Sequence, residues 1–263
     1  MNKEKVIIGT WGMGGDFGNE VNIEEIIEKA LESGFDQFDT AMVYGGGKVE
    51  EVLGAFKGGS LKIATKIPAI KKPDLMKPNE DIREYYPQQY IREKIRNCLK
   101  RYTSQKVQTV QLHNWHGSFE VDYIRQELQP YKNDGHFQRI GVSLPENFTG
   151  DIPNVFDSVQ LPYNVINAPL PLQLSNYTGE VWVRSIFYHG LILKDSSYKF
   201  LANDQRAKKA NKDFWEKLEE FKRKKGLSTQ DLLIKSIIED IESKNTHKVI
   251  IGVSNPTQIG FNF

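Results

Sequence analysis

The chain has 263 residues, with 35 Lys and Arg against 34 Asp and Glu, and its formal charge of +1 offers no field of one sign with which to grip nucleic acid. Its 39% hydrophobic and 26% charged residues describe a globular chain and exclude disorder or collagen-like order. One cysteine, Cys98, makes no internal disulfide, and the Cys/His spacing of structural zinc is absent, so a reducing, cytoplasmic setting is expected.

The first β-branched run, Val6 to Ile8, ends at Gly9, too short for the apolar region of an export signal. Later apolar runs also fall far short of the roughly 20 residues that cross a bilayer. Neither nucleic acid nor a membrane is expected as a partner. Gly12 to Gly18 follows, but Phe17 stands where a dinucleotide fingerprint needs its third glycine, which favours a flexible loop. Ile23, Ile26, Ile27, Ala30 and Leu31 then form a helical stripe, with Asn22 and Glu25 placed for a capping box and Gly34 for a stop.

Strands are predicted at Phe35 to Phe38 and Leu61 to Thr65. The long irregular stretch Pro68 to Pro87 carries Lys71, Lys72, Lys77, Arg83, Tyr85 and Tyr86 and has the length of a site wall. A helix on Ile91, Ile95, Cys98, Leu99 and Tyr102 leads to a strand at Val107 to Leu112. A less regular helix on Phe119, Ile124, Leu128 and Tyr131 leads to another at Phe137 to Val142. Pro145, Pro153, Pro162, Pro169 and Pro171 predict short or broken helices on either side of the strand Val155 to Leu161. After the strand Val181 to Ile186, the basic loop Leu193 to Lys212 reads either as a cover for phosphates or as a solvated linker. Phe214, Leu218 and Phe221 mark a helix stopping at Gly226, and Leu233, Ile237, Ile238 and Ile241 another after a Ser228 cap. The last strand, Lys248 to Ile251, leaves room only for a stub of helix before Phe263.

Strand alternating with helix implies a parallel sheet, and eight such units in about 250 residues match a closed α/β barrel of (β/α)8 TIM type, with residues 1–263 as a single domain. An open, doubly wound sheet is the rival. In a barrel the strand ends converge on one mouth, where Asp39, Lys66 and His113 end successive strands and Tyr44 lies five residues beyond Asp39.

Such a cluster suits proton transfer to a carbonyl. A phenol, with an ordinary pKa of about 10, needs help to act near neutrality. One cation at about 4 Å and an effective dielectric near 20 favours the phenolate by about 4 kcal/mol, which lowers that pKa by about three. Lys66 is placed to be that cation and Asp39 to keep it charged and aimed, partly opposing its effect. His113 is placed to orient the substrate oxygen. His113 and His116 have a spacing that ligates metal on a helix, but Val6 to Gly12 lacks the H-x-H pair of a metal-dependent hydrolase barrel, so no metal is expected. Trp11 and Trp115 read as pocket walls or packing, and Cys98 as core filler.

Phe38-Asp39-Thr40-Ala41-Met42-Val43-Tyr44-Gly45 resembles the D-T-A-x-x-Y-G signature of the aldo-keto reductases. Ile63-Ala64-Thr65-Lys66, Gln111-Leu112-His113-Asn114-Trp115, Ile140-Gly141-Val142-Ser143, Val159-Gln160-Leu161-Pro162-Tyr163-Asn164 and Ile250-Ile251-Gly252 are similar to later segments of the family in order, across nearly the whole chain. The resemblance implies a TIM-barrel oxidoreductase moving a hydride between nicotinamide and a small-molecule carbonyl or alcohol such as an aldehyde, ketone or sugar. It implies Tyr44 as general acid/base, with Lys66, Asp39 and His113 in the roles above. It further maps cofactor contacts onto Thr10, Trp11, Ser143, Gln160, Arg184, Ser185, Ser254 and Asn262.

This sequence departs from the family pattern at several points. Leu144 follows Ser143 where the family usually has Asn, and Arg184 stands where an aromatic residue often stacks on the ring. The resemblance implies NADP or NAD as cofactor and favours NADP, whereas Gly252 and Gln258 replace residues that usually meet its extra phosphate, and Phe261 falls where a carboxylate often binds adenine. The expectation is a short member with an abbreviated N-terminal hairpin and a truncated C-terminus lacking the substrate loop. An alternative reading is a non-catalytic nicotinamide-nucleotide-binding regulatory subunit on the same fold.

Overall fold

Eight parallel strands close into a barrel in sequence order: β1 (Val6–Gly9), β2 (Gln37–Asp39), β3 (Lys62–Ile67), β4 (Lys106–Leu112), β5 (Arg139–Ser143), β6 (Ser158–Pro162), β7 (Glu180–Arg184) and β8 (Thr246–Gly252). In this computed structural model the described residues are 3–15, 21–71, 81–117, 120–146, 148, 150–164, 174, 176–188, 190–193, 212–226, 228–229, 231, 233–235, 239 and 246–260. β8 returns to β1 with Val6 opposite Val249 and Gly9 opposite Gly252, which excludes the open sheet. Helices α1 (Ile23–Glu32), α2 (Lys48–Ala55), α3 (Gln88–Arg101), α4 (Val121–Asn133) and α5 (Lys212–Lys225) follow β1, β2, β3, β4 and β7.

Local chemistry sets the boundaries. The Glu25 N–H donates to Asn22 Oδ1 at 3.3 Å to start α1, whose Ile23, Ile26, Ile27 and Ala30 are buried. Gly34, at φ +80°, donates to the Leu31 carbonyl at 2.9 Å, and Phe35 donates to Ala30 at 2.8 Å. Those two bonds are a Schellman closure, so Phe35 belongs to the helix stop and β2 begins two residues after the strand expected from sequence. Ser228 caps as expected, its Oγ accepting from the Asp231 N–H at 3.0 Å, and Leu233 and Ile234 beyond it are buried. Ile237, Ile238 and Ile241 lie outside the described residues. The proline-rich connections flanking β6 contain no α-helix among the described residues, and the expected stub after β8 is a 3-10 turn, Pro256–Ile259.

Side chains alternate across each strand. Val6, Ile8, Val249 and Ile251 face the helices and join the main core, while Ile7, Ala64, Trp182 and Ile250 form a separate apolar plug inside the barrel. One step nearer the C-terminal strand ends the interior turns polar, with Asp39, Lys66, Gln111, Ser143 and Gln160 all buried. Cys98 sits on the buried stripe of α3, where burial pushes its thiol pKa up to about 12, as core filler. Among the described residues no helix is long and apolar enough to cross a membrane.

Candidate active site

Asp39 ends β2 opposite Ala64, and Lys66 lies two residues further along β3 on the same inward face. The Lys66 ammonium donates to Asp39 Oδ2 at 2.7 Å and to the Thr40 carbonyl at 2.8 Å. Lys66 is 1% exposed and Asp39 4%, so this is a desolvated pair held by hydrogen bonds as well as by charge. Thr10 secures the strand end, donating through both its N–H (3.0 Å) and its hydroxyl (3.1 Å) to the Asp39 carbonyl.

The signature loop then runs along the end of β3, with Thr40 N–H on the Ala64 carbonyl at 2.8 Å and Met42 N–H on the Lys66 carbonyl at 3.3 Å. Tyr44 opens a short turn in which Gly45 has φ +54° and approaches the β1 loop so closely that a Cβ would lie 2.9 Å from the Gly14 Cα. Glycine is therefore required beside the tyrosine. The Lys66 Nζ is 5.3 Å from the Tyr44 ring centroid, and the same ring meets His113 edge-on with centroids 5.9 Å apart.

His113 is anchored from two sides, its N–H on the Ile67 carbonyl at 2.9 Å and its carbonyl accepting from the buried Tyr86 hydroxyl at 2.9 Å. Burial, then the charges of Lys66 and Arg184, push the His113 pKa down to about 3, so its ring is neutral at physiological pH. Asp39, Tyr44, Lys66 and His113 thus meet at the mouth.

Across the barrel, Ser143 ends β5 and donates to Gln160 Oε1 at 3.2 Å. Gln160 Nε2 donates to Asp39 Oδ1 at 2.7 Å and to Gln111 Oε1 at 3.2 Å. Arg184, at the end of β7, is braced by the Leu144 carbonyl (2.7 Å), the Ser185 hydroxyl (3.0 Å) and Glu146 (3.3 Å). Ser185 takes a positive φ of +57°. After β8, Gln258 folds its side chain back, Oε1 accepting from the N–H groups of Ser254 at 2.8 Å and Asn255 at 3.2 Å. Trp11 remains 40% exposed. Asn262 and Phe261 lie outside the described residues.

Other candidates sit in packing or in surface ion pairs. Trp115 is buried against Phe148 and Phe156, and His116 packs on Tyr85 with ring centroids 4.4 Å apart. Of the basic side chains around the third strand's loop, Lys71 pairs with Glu84 at 2.6 Å and Arg83 with Asp81 and Glu120, while residues 72–80 and the basic stretch 194–211 lie outside the described residues. Two contributors escape a sequence reading. Tyr86 supports the His113 backbone, and Gln111 enters the buried network. The signal for Gln111 was its place two residues before His113, on the same face of β4.

A model of the aldo/keto reductase family matches residues 5–263. The aldo-keto reductase YhdN of Bacillus subtilis is 25% identical over 201 residues, covering 71% of this chain and 58% of that protein. The fold is that of the glycerol dehydrogenase of Gluconobacter oxydans (TM-score 0.72, 20% identity, 99% of this chain and 89% of that one). It is also that of an aldo-keto reductase of Bacillus halodurans in its holo form (TM-score 0.67, 20% identity, 97% and 84%). With the family pattern running through almost all of its length, the chain belongs to the aldo/keto reductase family.

Proposed function

We propose that the chain is an NADP- or NAD-dependent oxidoreductase that interconverts a small carbonyl compound and its alcohol. One observation carries the reading: the Lys66 ammonium, fixed on Asp39, stands 5.3 Å from the ring of Tyr44, which also packs against His113. That is a proton donor, a cation to stabilise the charge it leaves behind and a neutral imidazole, gathered where barrel loops form sites.

The residues present fit a nicotinamide. Ser143 and Gln160, buried and hydrogen-bonded to each other, supply a hydroxyl and an amide oxygen of the chemistry that meets a carboxamide, and the braced guanidinium of Arg184 offers a plane for its ring. Trp11, Ser185, Ser254 and Asn262 would hold the remainder, with Thr10 acting through the β2 end. The bound cofactor supplies the hydride. In the reducing direction Tyr44 gives its hydroxyl proton to the substrate oxygen, and Lys66 stabilises the phenolate that remains. Asp39 keeps Lys66 charged and aimed, and neutral His113 donates an N–H to the same oxygen and orients it. NADP has the support of the family resemblance, while Gln258 is folded into its own loop and not toward a phosphate-binding role.

Fluorescence titration with NADPH and NADH, followed by a panel of aldehydes, ketones and sugars read by nicotinamide absorbance, tests the proposal. Tyr44→Phe should lose turnover by at least about a hundredfold while still binding cofactor. Undiminished turnover would overturn the role of Tyr44, and tight binding without turnover across the panel would favour the regulatory subunit.

A further inference from the structure

The Gln160 amide joins the two halves of the mouth, and its orientation is not free. A carboxylate only accepts hydrogen bonds, so the NH2 of Gln160 must face Asp39, at 2.7 Å; the flipped amide would set oxygen against oxygen. The second donor bond, 3.2 Å to Gln111 Oε1, removes the remaining freedom to twist. Gln111 is itself fully buried, and its Nε2 has no hydrogen-bond partner. Leaving a buried N–H unmet costs stability. Rotating the Gln111 amide would relieve nothing, because NH2 would then confront NH2 of Gln160. The side chain fits because Gly141 lies opposite it in register, where a Cβ would stand 3.2 Å from the Gln111 Cγ and collide with Ser158.

We infer that Gln111 is a positioning residue: together with Asp39 it locks Gln160 so that the amide oxygen, beside the Ser143 hydroxyl, is presented to the nicotinamide carboxamide. This rests on the nicotinamide reading above. The lock matters more here because Leu144 stands next to Ser143 and brings no side-chain donor, so Ser143 and Gln160 carry the carboxamide contact.

A double-mutant cycle on cofactor affinity tests the lock, using fluorescence titration of NADPH and NADH with the wild type, Gln111→Met, Gln160→Met and the double variant. Losing one buried hydrogen bond that acts through Gln160 should weaken binding by about five- to tenfold in the wild-type background and by less than about twofold in the Gln160→Met background. Equal weakening in both backgrounds, or none in either, overturns the inference. Ser158→Ala alters the same buried layer at a hydroxyl that makes no hydrogen bond and should stay within about twofold of wild type; a loss as large as that of Gln111→Met would assign the effect to packing and also overturn it. Where Gln111→Met fails to fold, Gln111→Asn, which withdraws the same amide from reach, takes its place in the cycle with the same expected and overturning results. A wild type that binds neither dinucleotide overturns the nicotinamide reading instead.

Discussion

Neighbouring residues of β3 serve two buried ion pairs on opposite faces of one strand. Lys66 points into the barrel and pairs with Asp39; Thr65 points out and donates to Glu50, which Arg101 also holds at 2.6 Å. The outer pair locks α2 to α3 where they pass so closely that a Cβ on Gly54 would lie 2.5 Å from the Arg101 carbonyl. Glu50, Tyr102 and Cys98 are all pushed toward their uncharged forms. Burial raises the pKa of Glu50 against the opposing effects of Thr65 and Arg101, and burial likewise raises Tyr102 and Cys98. The inner pair is drier, its side chains 1% and 5% exposed against 27% for Arg101, and its cation looks onto a phenol and an imidazole at the C-terminal strand ends. A buried ion pair alone therefore marks no site; what it faces decides, and strand alternation assigns the facing.

The sharpest way to break the comparison is to neutralise the inner pair. Lys66→Met should cut kcat by about 10^2- to 10^4-fold. It should also cost about 3–5 kcal/mol of stability, because Asp39 is left buried beside Gln160 without its cation. Adding Asp39→Asn should recover much of that stability and none of the activity. Denaturant unfolding and turnover measured on the same samples check both, and recovery of activity in the double variant would contradict the role given to Lys66.

The outer pair should show the reverse. Glu50→Ala leaves Arg101 without its carboxylate and should destabilise the fold by about 3–5 kcal/mol, while turnover per folded molecule stays within about threefold of wild type. A large kcat loss in correctly folded protein would mean that the outer pair reaches the site through Thr65.

Acid separates the two faces by sign. His113 binds its proton more weakly folded, at about 3, than unfolded, at 6.5, so its contribution to stability is full above 6.5 and is lost as pH falls toward 3. Glu50 binds its proton more tightly folded than its ordinary 4.5, so its contribution runs the other way, falling as pH rises above 4.5. Unfolding measured from pH 4 to 7 should lose part of its rising slope in His113→Asn and steepen in Glu50→Gln. Identical slopes in both variants would remove the distinction.

Much of this was legible in the sequence because it is local. Asp39, Lys66 and His113 each stand at the end of a strand expected from sequence, and consecutive strands must be neighbours in a barrel, so their convergence follows from order alone. Gly45 was legible as part of a signature, and its reason, a positive φ against Gly14, became plain only in three dimensions. The contact from Gln160 to Asp39 crosses the barrel between residues 121 positions apart, and no periodicity reports which inward side chains meet there. Trp115 stayed ambiguous for the same kind of reason: the partners that make it core, Phe148 and Phe156, come from the connection after β5.

Gln258 offers the smallest and most local test, in the turn after β8. Its position suggests a phosphate contact, yet its oxygen gathers the Ser254 and Asn255 N–H groups while Asn255 caps Thr257 at 2.9 Å, closing a reciprocal capping box around the turn after β8. Gln258→Ala should therefore cost about 1 kcal/mol, typical of a lost cap, and lower Tm by about 2–4 °C. If the side chain serves the turn and not the cofactor, the ratio of NADPH to NADH affinity will not change in this variant. A ratio that moves severalfold while Tm holds would turn Gln258 outward and make it a selector between the two cofactors.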